Sequence, residues 1–199
     1  MRGLFVTFEG IDRSGKTTQA RMLCDALGSD ALGVREPGGT PAGERVRELL
    51  KDASVPLGPE AEALLFAAAR AELVERVIRP ALDDGRVVVS DRFLDSSLAY
   101  QGGARRLGVD AVREVNLFAT RGLSPDLTFL LEIPADVAAE RVGESDRFED
   151  EGAALQEAVG GAYDELVERE PGRWRRIDAT RSPEEVHRDV LRFVEEARG

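Results

Sequence analysis

Near the amino terminus an apolar run, Leu4-Phe5-Val6-Thr7-Phe8-Glu9, passes directly into Gly10-Ile11-Asp12-Arg13-Ser14-Gly15-Lys16-Thr17 and then into a stretch of helical pattern. The eight residues fit G-x-x-x-x-G-K-[ST], and that pattern between a strand and a helix leaves little choice of fold. Its glycines let the backbone turn so that successive N–H groups point inward at an anion. Lys16 can then reach the outer phosphates of a nucleotide, and the Thr17 hydroxyl is placed to ligate Mg²⁺. The following helix turns its positive end toward the same anion. A chance glycine-rich turn is the bland alternative. Against it, the motif uses one of only two lysines in the chain, the other being Lys51.

Beyond the loop, apolar runs of strand length at 4–9, 31–36, 86–91, 127–133 and 174–178 alternate with helix-like stretches. Those stretches lie near 16–27, 42–52, 59–83, 95–101, 109–121, 135–142, 152–168 and 183–198. Four of the runs are rich in β-branched or aromatic residues, whereas the last has only Trp174 and Ile177 to bury. Such alternation implies right-handed crossovers and a mostly parallel sheet covered on both faces. The expectation is an α/β protein with a three-layer P-loop NTPase fold, about five parallel strands flanked by helices.

Local signals agree. Gly28 stands where a helix C-terminal glycine belongs. Ser182-Pro183-Glu184-Glu185 combines an N-cap serine, a first-turn proline and a glutamate three residues after the cap. Leu64, Leu65, Ala68, Leu73 and Val77 recur at helical spacing until Pro80, which is expected to limit that helix. No repeat, low-complexity tract or composition shift marks a linker, so residues 1–199 read as one domain.

The 27 Lys plus Arg against 38 Asp plus Glu give a formal charge of −11. That balance argues against a nucleic-acid-binding surface, which needs a basic excess, but leaves room for a small anion in a local basic pocket. Cys24 is the only cysteine and His187 the only histidine. An internal disulfide and a cysteine zinc site are excluded, and a Ser-His-Asp triad is disfavoured. No stretch approaches the ~20 apolar residues that span a bilayer, and the run closed by Glu9 is too short for a signal-peptide core. The expected location is the cytoplasm. Phosphate loops serve GTPase switches, motor ATPases and small-molecule kinases alike. A guanine-reading Asn-Lys-x-Asp is impossible, since the only asparagine, Asn116, is followed by Leu117. No aliphatic run ends in an Asp-Glu pair, and the chain is short. A small kinase fits best.

A kinase needs an acceptor site. Asp91-Arg92 closes the third strand run, at the carboxyl edge where ligands bind in such sheets. Phe66 with Arg70, and Ser97 with Gln101, are spaced i,i+4, so in helices each pair projects from one face. An aromatic plate beside a guanidinium, opposed by a hydroxyl and an amide, can stack on and hydrogen-bond a planar base. Taken singly, the same residues are as well explained as core, surface and cap positions.

Seven segments extend the picture: FEGIDRSGKTTQ (8–19), REPGGTPAGERVREL (35–49), EALLFAAARAE (62–72), SDRFLDSSLAYQGGARRLG (90–108), SPDLTFLLE (124–132), SDRFEDE (145–151) and IDATRSPEEV (177–186). In this order they span nearly the whole chain, and the chain resembles the thymidylate kinase family, whose members phosphorylate dTMP to dTDP. The phosphate loop is generic, whereas REPGG with DRFLDSSLAYQG is specific to that family among nucleotide kinases. The resemblance implies that Gly10, Ile11, Asp12, Arg13, Ser14, Gly15, Lys16 and Thr17 hold the ATP phosphates, with Mg²⁺ on Thr17. Phe66 would stack on thymine, Arg70 would reach its O4, and Ser97 with Gln101 would bind its edge. Arg47 and Arg92 would hold the acceptor phosphate, with Asp12 and Glu36 beside the acceptor sugar and phosphate. Tyr100 would crowd a ribose 2′-OH. Residues 141–152 would form a short lid, and the 178–182 loop would border adenine. The family habit of homodimerisation would use apolar helix surface in 59–79 and 109–119. The chain departs from REPGG-bearing bacterial members at Arg13, where a small residue is frequent. Its lid offers only Arg141 and Arg147 among five carboxylates. Phe93 and Ala69 stand where Tyr and Asp are common, and neither removes a base contact.

The expected reaction is in-line transfer of the ATP γ-phosphoryl group to the 5′-phosphate of dTMP. The acceptor oxygen is already anionic, so catalysis is positioning plus electrostatics rather than base chemistry. Arg13, Lys16, Arg92 and Arg147 are expected to carry it, Arg13 more than the lid arginines. The alternatives are a kinase for another nucleoside monophosphate or a deoxynucleoside, and a nucleotide-binding module without turnover. Lys51, Cys24 and His187 are read as a surface charge, a buried small residue and a side chain on a terminal helix.

Overall fold

Each apolar strand run is followed by a helix that carries the chain back to the same end of the sheet, which forces the strands to run parallel. A computed structural model, describing residues 2–141 and 152–199, has this architecture. Strands β1 (Phe5–Glu9), β2 (Ala31–Arg35), β3 (Val87–Asp91), β4 (Leu127–Glu132) and β5 (Trp174–Asp178) form one parallel sheet in the order β2-β3-β1-β4-β5. The helices are α1 (Lys16–Leu27), α2 (Pro41–Lys51), α3 (Pro59–Leu73), α4 (Arg79–Asp83), α5 (Leu94–Ser97), α6 (Val109–Thr120), α7 (Ala135–Glu140), α8 (Ala153–Arg169) and α9 (Pro183–Arg198).

Strand periodicity divides the core into two layers. Phe5 and Leu130 point to one face, where they pack with Leu73, Phe93, Tyr163 and Trp174. Val6, Phe8, Phe129 and Leu131 point to the other, against Leu23 of α1 and Val186, Val190 and Val194 of α9. Each such side chain, buried in full, contributes about 1.5–3 kcal/mol of transfer free energy. The expected three-layer α/β fold is the observed one. Even the weakly apolar fifth run is a strand. Trp174 and Ile177 are buried, while the outward Arg176 bridges Glu132 and Asp164 at 2.5 Å each.

Two helical segments differ from the expectation for a physical reason. Pro80 does not end its helix: a π-turn over Val74–Ile78 joins α3 to α4, and Pro80 then occupies the first turn of α4. The wider turn absorbs the missing proline N–H and the bulk of the ring, so the chain stays helical from Pro59 to Asp83. The 95–101 stretch is likewise α-helical only over Leu94–Ser97 and continues as π-helix from Leu98 to Ala104. Gly103 permits this segment to lie against α8, since a Cβ there would sit 2.6 Å from the Ala162 Cβ. Cys24 is half-buried rather than fully covered, its sulfur beside Gly33 of β2.

β1 is the middle strand, and its partners β3 and β4 are reached through connections elsewhere in the chain. The pairing of Phe8 with Asp91 brings the exit of β1 beside the exit of β3. The phosphate-loop motif and the Asp91-Arg92 pair therefore meet at one sheet edge, the crevice where ligands bind in such folds.

Candidate active site

The loop from Gly10 to Thr17 is shaped by backbone conformations that favour glycine. Gly10 has φ 138°, and a Cβ there would lie 2.6 Å from the Leu131 carbonyl oxygen. Gly15 caps α1 at φ 102°. Arg13, at φ 60°, occupies the left-handed region without being glycine, a strained choice of the kind that clusters at functional sites. The Lys16 ammonium is buried inside the loop and donates to Gly10 O at 3.1 Å, Ile11 O at 2.6 Å and Ser14 Oγ at 3.3 Å. Burial, and then Arg92, push its pKa down to about 8 against the pull of Asp12 and Asp91. Thr17 Oγ1 donates to Asp91 Oδ2 at 2.5 Å. Two hard oxygens thus stand together at the mouth of the loop, donors of the type Mg²⁺ takes alongside phosphate and water.

Two cavities open on this loop. One, of about 410 Å³, is bounded by α2, α3 and the 94–104 helical segment. Every residue expected at the acceptor lines it: Asp12, Glu36, Arg47, Phe66, Arg70, Arg92, Ser97, Tyr100 and Gln101. The second, of about 610 Å³, lies between the loop, Arg141 and the start of α9, with Ala179 and Arg181 from the 178–182 loop on its wall. Arg13, Lys16 and Thr17 line both. The cavities therefore share the end of the phosphate loop.

This first cavity is held by buried polar networks. Arg70, almost fully buried, donates from Nε to Glu36 Oε2 at 2.8 Å, from Nη1 to Ser97 Oγ at 3.1 Å and from Nη2 to the Phe93 carbonyl at 3.2 Å. It also donates to Asn116, whose amide is fixed by the Val112 carbonyl at 2.8 Å. Burial pushes the Glu36 carboxyl up while Arg70 pulls it down, with burial prevailing. Glu36 Oε1 is buried with no hydrogen-bond partner among the described residues. Gln101 donates to Glu62 at 2.9 Å. Arg47 donates to the Pro37 carbonyl at 3.0 Å.

Nearer the loop, Arg92 has φ 70° and pairs with Asp12. Its guanidinium lies 5.2 Å from the centre of the Tyr100 ring. It also donates to Ser96 Oγ at 3.0 Å and, weakly, to the Tyr100 hydroxyl at 3.4 Å. Asp12 exchanges two hydrogen bonds with the Gln156 amide. Burial alone would raise the Asp12 pKa, but Arg92 and Lys16 hold it below the usual value.

Beneath Arg92 lies Glu9, which the sequence reading passed over. Phe93 N donates to its Oε1 at 2.8 Å, while the Ser96 and Tyr163 hydroxyls donate to Oε2 at 2.6 and 2.7 Å. Burial, then the charge of Asp95, push this carboxyl up to about 7. Its sequence signal was a charge closing an otherwise apolar strand run.

Other sequence readings need correction. Lys51 is no mere surface charge: it follows Arg47 by one turn of α2 and lines the first cavity. Glu62 also escaped notice, although it precedes Phe66 and Arg70 at four-residue intervals on one face of α3. Arg13 turns its guanidinium toward the Ala139 carbonyl at 3.3 Å. Arg141 donates to Arg13 O at 3.2 Å and Ala179 O at 2.6 Å, so it sits on the second cavity. Arg147 and the rest of the expected lid from 142 to 151 lie outside the described residues.

This arrangement can hold a polyphosphate in one cavity and a phosphorylated, planar ligand in the other, with cations between them. Comparison with known proteins agrees. A family model described as thymidylate kinase matches residues 8–190. A thymidylate kinase of Halothermothrix orenii is 45% identical over 203 residues, covering 98% of this chain and 97% of that protein. One of Symbiobacterium thermophilum is 47% identical, covering 97% and 93%. One of Lactobacillus helveticus is 42% identical, covering 98% and 97%. On a match of this extent the chain belongs to the thymidylate kinase family.

Proposed function

We propose that the chain transfers the γ-phosphoryl group of ATP to the 5′-phosphate of dTMP, releasing dTDP and ADP. The observation that carries this reading is the junction of the two cavities at Arg13, Lys16 and Thr17. A donor in one and an acceptor in the other would meet end to end, as in-line transfer requires.

In this reading the loop amides and Lys16 take the β- and γ-phosphates, which draw the ammonium away from Gly10 O, Ile11 O and Ser14 Oγ. Thr17 and Asp91 would hold Mg²⁺, which when bound neutralises charge across those phosphates. Arg92, braced by Asp12 and Tyr100, and Arg47 hold the acceptor phosphate. Glu36 Oε1, buried with no hydrogen-bond partner among the described residues, would accept a hydrogen bond from a hydroxyl of the acceptor sugar. Phe66 stacks on the base, Arg70 and Ser97 meet its carbonyl side, and Gln101 reads its edge. Arg13 bridges donor and acceptor oxygens as charge shifts between them, with Arg147 a lesser contributor.

We further read residues 1–199 as one domain acting in the cytoplasm. No helix among the described residues is long and apolar enough to cross a membrane. Leu64 on α3, with Leu117 and Phe118 on α6, leave large apolar side chains exposed, Phe118 at 88%. These exposed side chains support the homodimer reading, in which a second copy of the chain would cover them, and sedimentation checks it.

The test of function is coupled ADP release over a panel of nucleoside monophosphates and deoxynucleosides with ATP and Mg²⁺. Turnover of dTMP above the others is expected. A folded protein inert toward dTMP but active on another acceptor would overturn the substrate, and one inert toward all would leave a binding module.

A further inference from the structure

Helix α3 sends Glu62, Phe66 and Arg70 from one face toward the base-reading end of the acceptor cavity. Phe66 and Arg70 line the cavity, whereas Glu62 stands behind the wall, only 2% exposed. Its Oε1 accepts from Nε2 of Gln101 at 2.9 Å. Arg105 holds the same carboxylate from the other side, donating from Nε to Oε1 at 3.1 Å and from Nη2 to Oε2 at 3.3 Å.

The two ends of a side-chain amide have nearly the same shape and opposite polarity, and a carboxylate only accepts. Turning the Gln101 amide over would set its Oε1 against Glu62 Oε1, two acceptors with no proton between them in a buried site. Such a mismatch costs more there than in water. The amide is therefore held with its nitrogen toward Glu62. It offers an incoming base a carbonyl acceptor, with its second N–H as the neighbouring donor.

That pattern complements a 4-oxopyrimidine, whose ring N–H is flanked by carbonyls. It opposes a 4-aminopyrimidine, whose ring nitrogen accepts and whose amino group donates. A flipped amide would reverse the preference. Resting on the reading of this cavity as a dTMP site, we infer that Glu62 is a positioning residue that locks the Gln101 amide and so makes the enzyme reject 4-aminopyrimidine nucleotides.

The test compares dTMP and dCMP as acceptors for wild type, Glu62→Gln, Gln101→Ala and the double variant. A glutamine at position 62 can satisfy either orientation of Gln101, so the lock is lost. The ratio of kcat/KM for dTMP to that for dCMP should fall about tenfold or more, through a higher KM for dTMP and a lower one for dCMP. KM for ATP should not move. In the Gln101→Ala background Glu62→Gln should leave the ratio unchanged, because there is no amide left to orient. A purely structural Glu62 would instead lower kcat/KM for both acceptors alike in either background. Should Glu62→Gln fail to fold, Arg105→Gln carries the test, since it loosens the same carboxylate from a partly exposed position and should shift the ratio in the same direction. A wild-type ratio in the folded variant overturns the positioning role. A wild-type protein that does not phosphorylate dTMP overturns the function reading beneath it, and the two failures are told apart by the wild-type assay alone.

Discussion

Replacing Glu9 by Gln tests whether the buried carboxyl under Arg92 couples stability to pH. The side chain is fully buried and accepts hydrogen bonds from Phe93 N, Ser96 and Tyr163. Asp95, Arg92, Tyr163 and Lys16 are ionisable groups that act on it. Its pKa is lifted from 4.5 to about 7, so the folded state holds a proton that the unfolded chain releases. The stability linked to that proton is fully present below pH 4.5 and lost as pH rises through 7. At about 1.4 kcal/mol per pH unit the whole effect is about 3 kcal/mol, of which about 2 kcal/mol falls between pH 5.5 and 8. Glutamine keeps the size of the side chain and cannot titrate. Its altered hydrogen bonding with the two hydroxyls adds an offset that does not depend on pH. Urea unfolding of both proteins at the two pH values gives the double difference, in which groups remote from Glu9 cancel. The wild type should lose about 2 kcal/mol more than Glu9→Gln on going from pH 5.5 to 8. Parallel pH profiles for the two proteins would refute the reasoning and mean that Glu9 stays ionised when folded.

Arg13→Gly relieves a left-handed backbone strain of about 1 kcal/mol, so the protein should melt no lower while the single-turnover rate drops by a large factor, on the order of 10³. A greater loss for Arg147→Ala would move the catalytic cation to the lid. Gln101→Ala should raise KM for dTMP about tenfold with KM for ATP unchanged. Arg70→Ala should do the same and also destabilise the fold, because it strands the buried Glu36. Arg173 pairs with the fully buried Asp95 through two bonds of 2.7 and 2.8 Å, so Arg173→Met should cost about 3–5 kcal/mol in chemical unfolding. A loss below about 1 kcal/mol would show that Asp95 finds other partners.

Strand and helix positions, the parallel sheet and the phosphate loop were legible in the sequence because each is a short-range pattern. Alternation, helical spacing, caps and the eight-residue motif act within a few residues and need no partner. The Ser182 capping box was readable for the same reason and forms as expected. The Phe66, Arg70, Ser97 and Gln101 quartet was found because its pairs share a helix face, and tertiary packing brings both faces to one cavity. What the tertiary structure alone decided was what stands behind those residues. Glu62 looks like any exposed helix glutamate until Gln101 and Arg105 from a distant segment close on it. Glu9 titrates near neutral pH only because the folded core removes it from water and brings Asp95 close to it. Arg70 was read as a base-reaching donor. Its ion pair with Glu36, 34 residues earlier in the chain, depends on a packing that no local pattern encodes. The π-turns at Val74–Ile78 and Leu98–Ala104 escaped for a related reason: they answer Pro80 and the approach of α8 rather than any local propensity. Regular strands, helices and caps are written in neighbouring residues, whereas the π-turns, and the polarity and orientation of a site, depend on which distant groups pack against them and exclude the water.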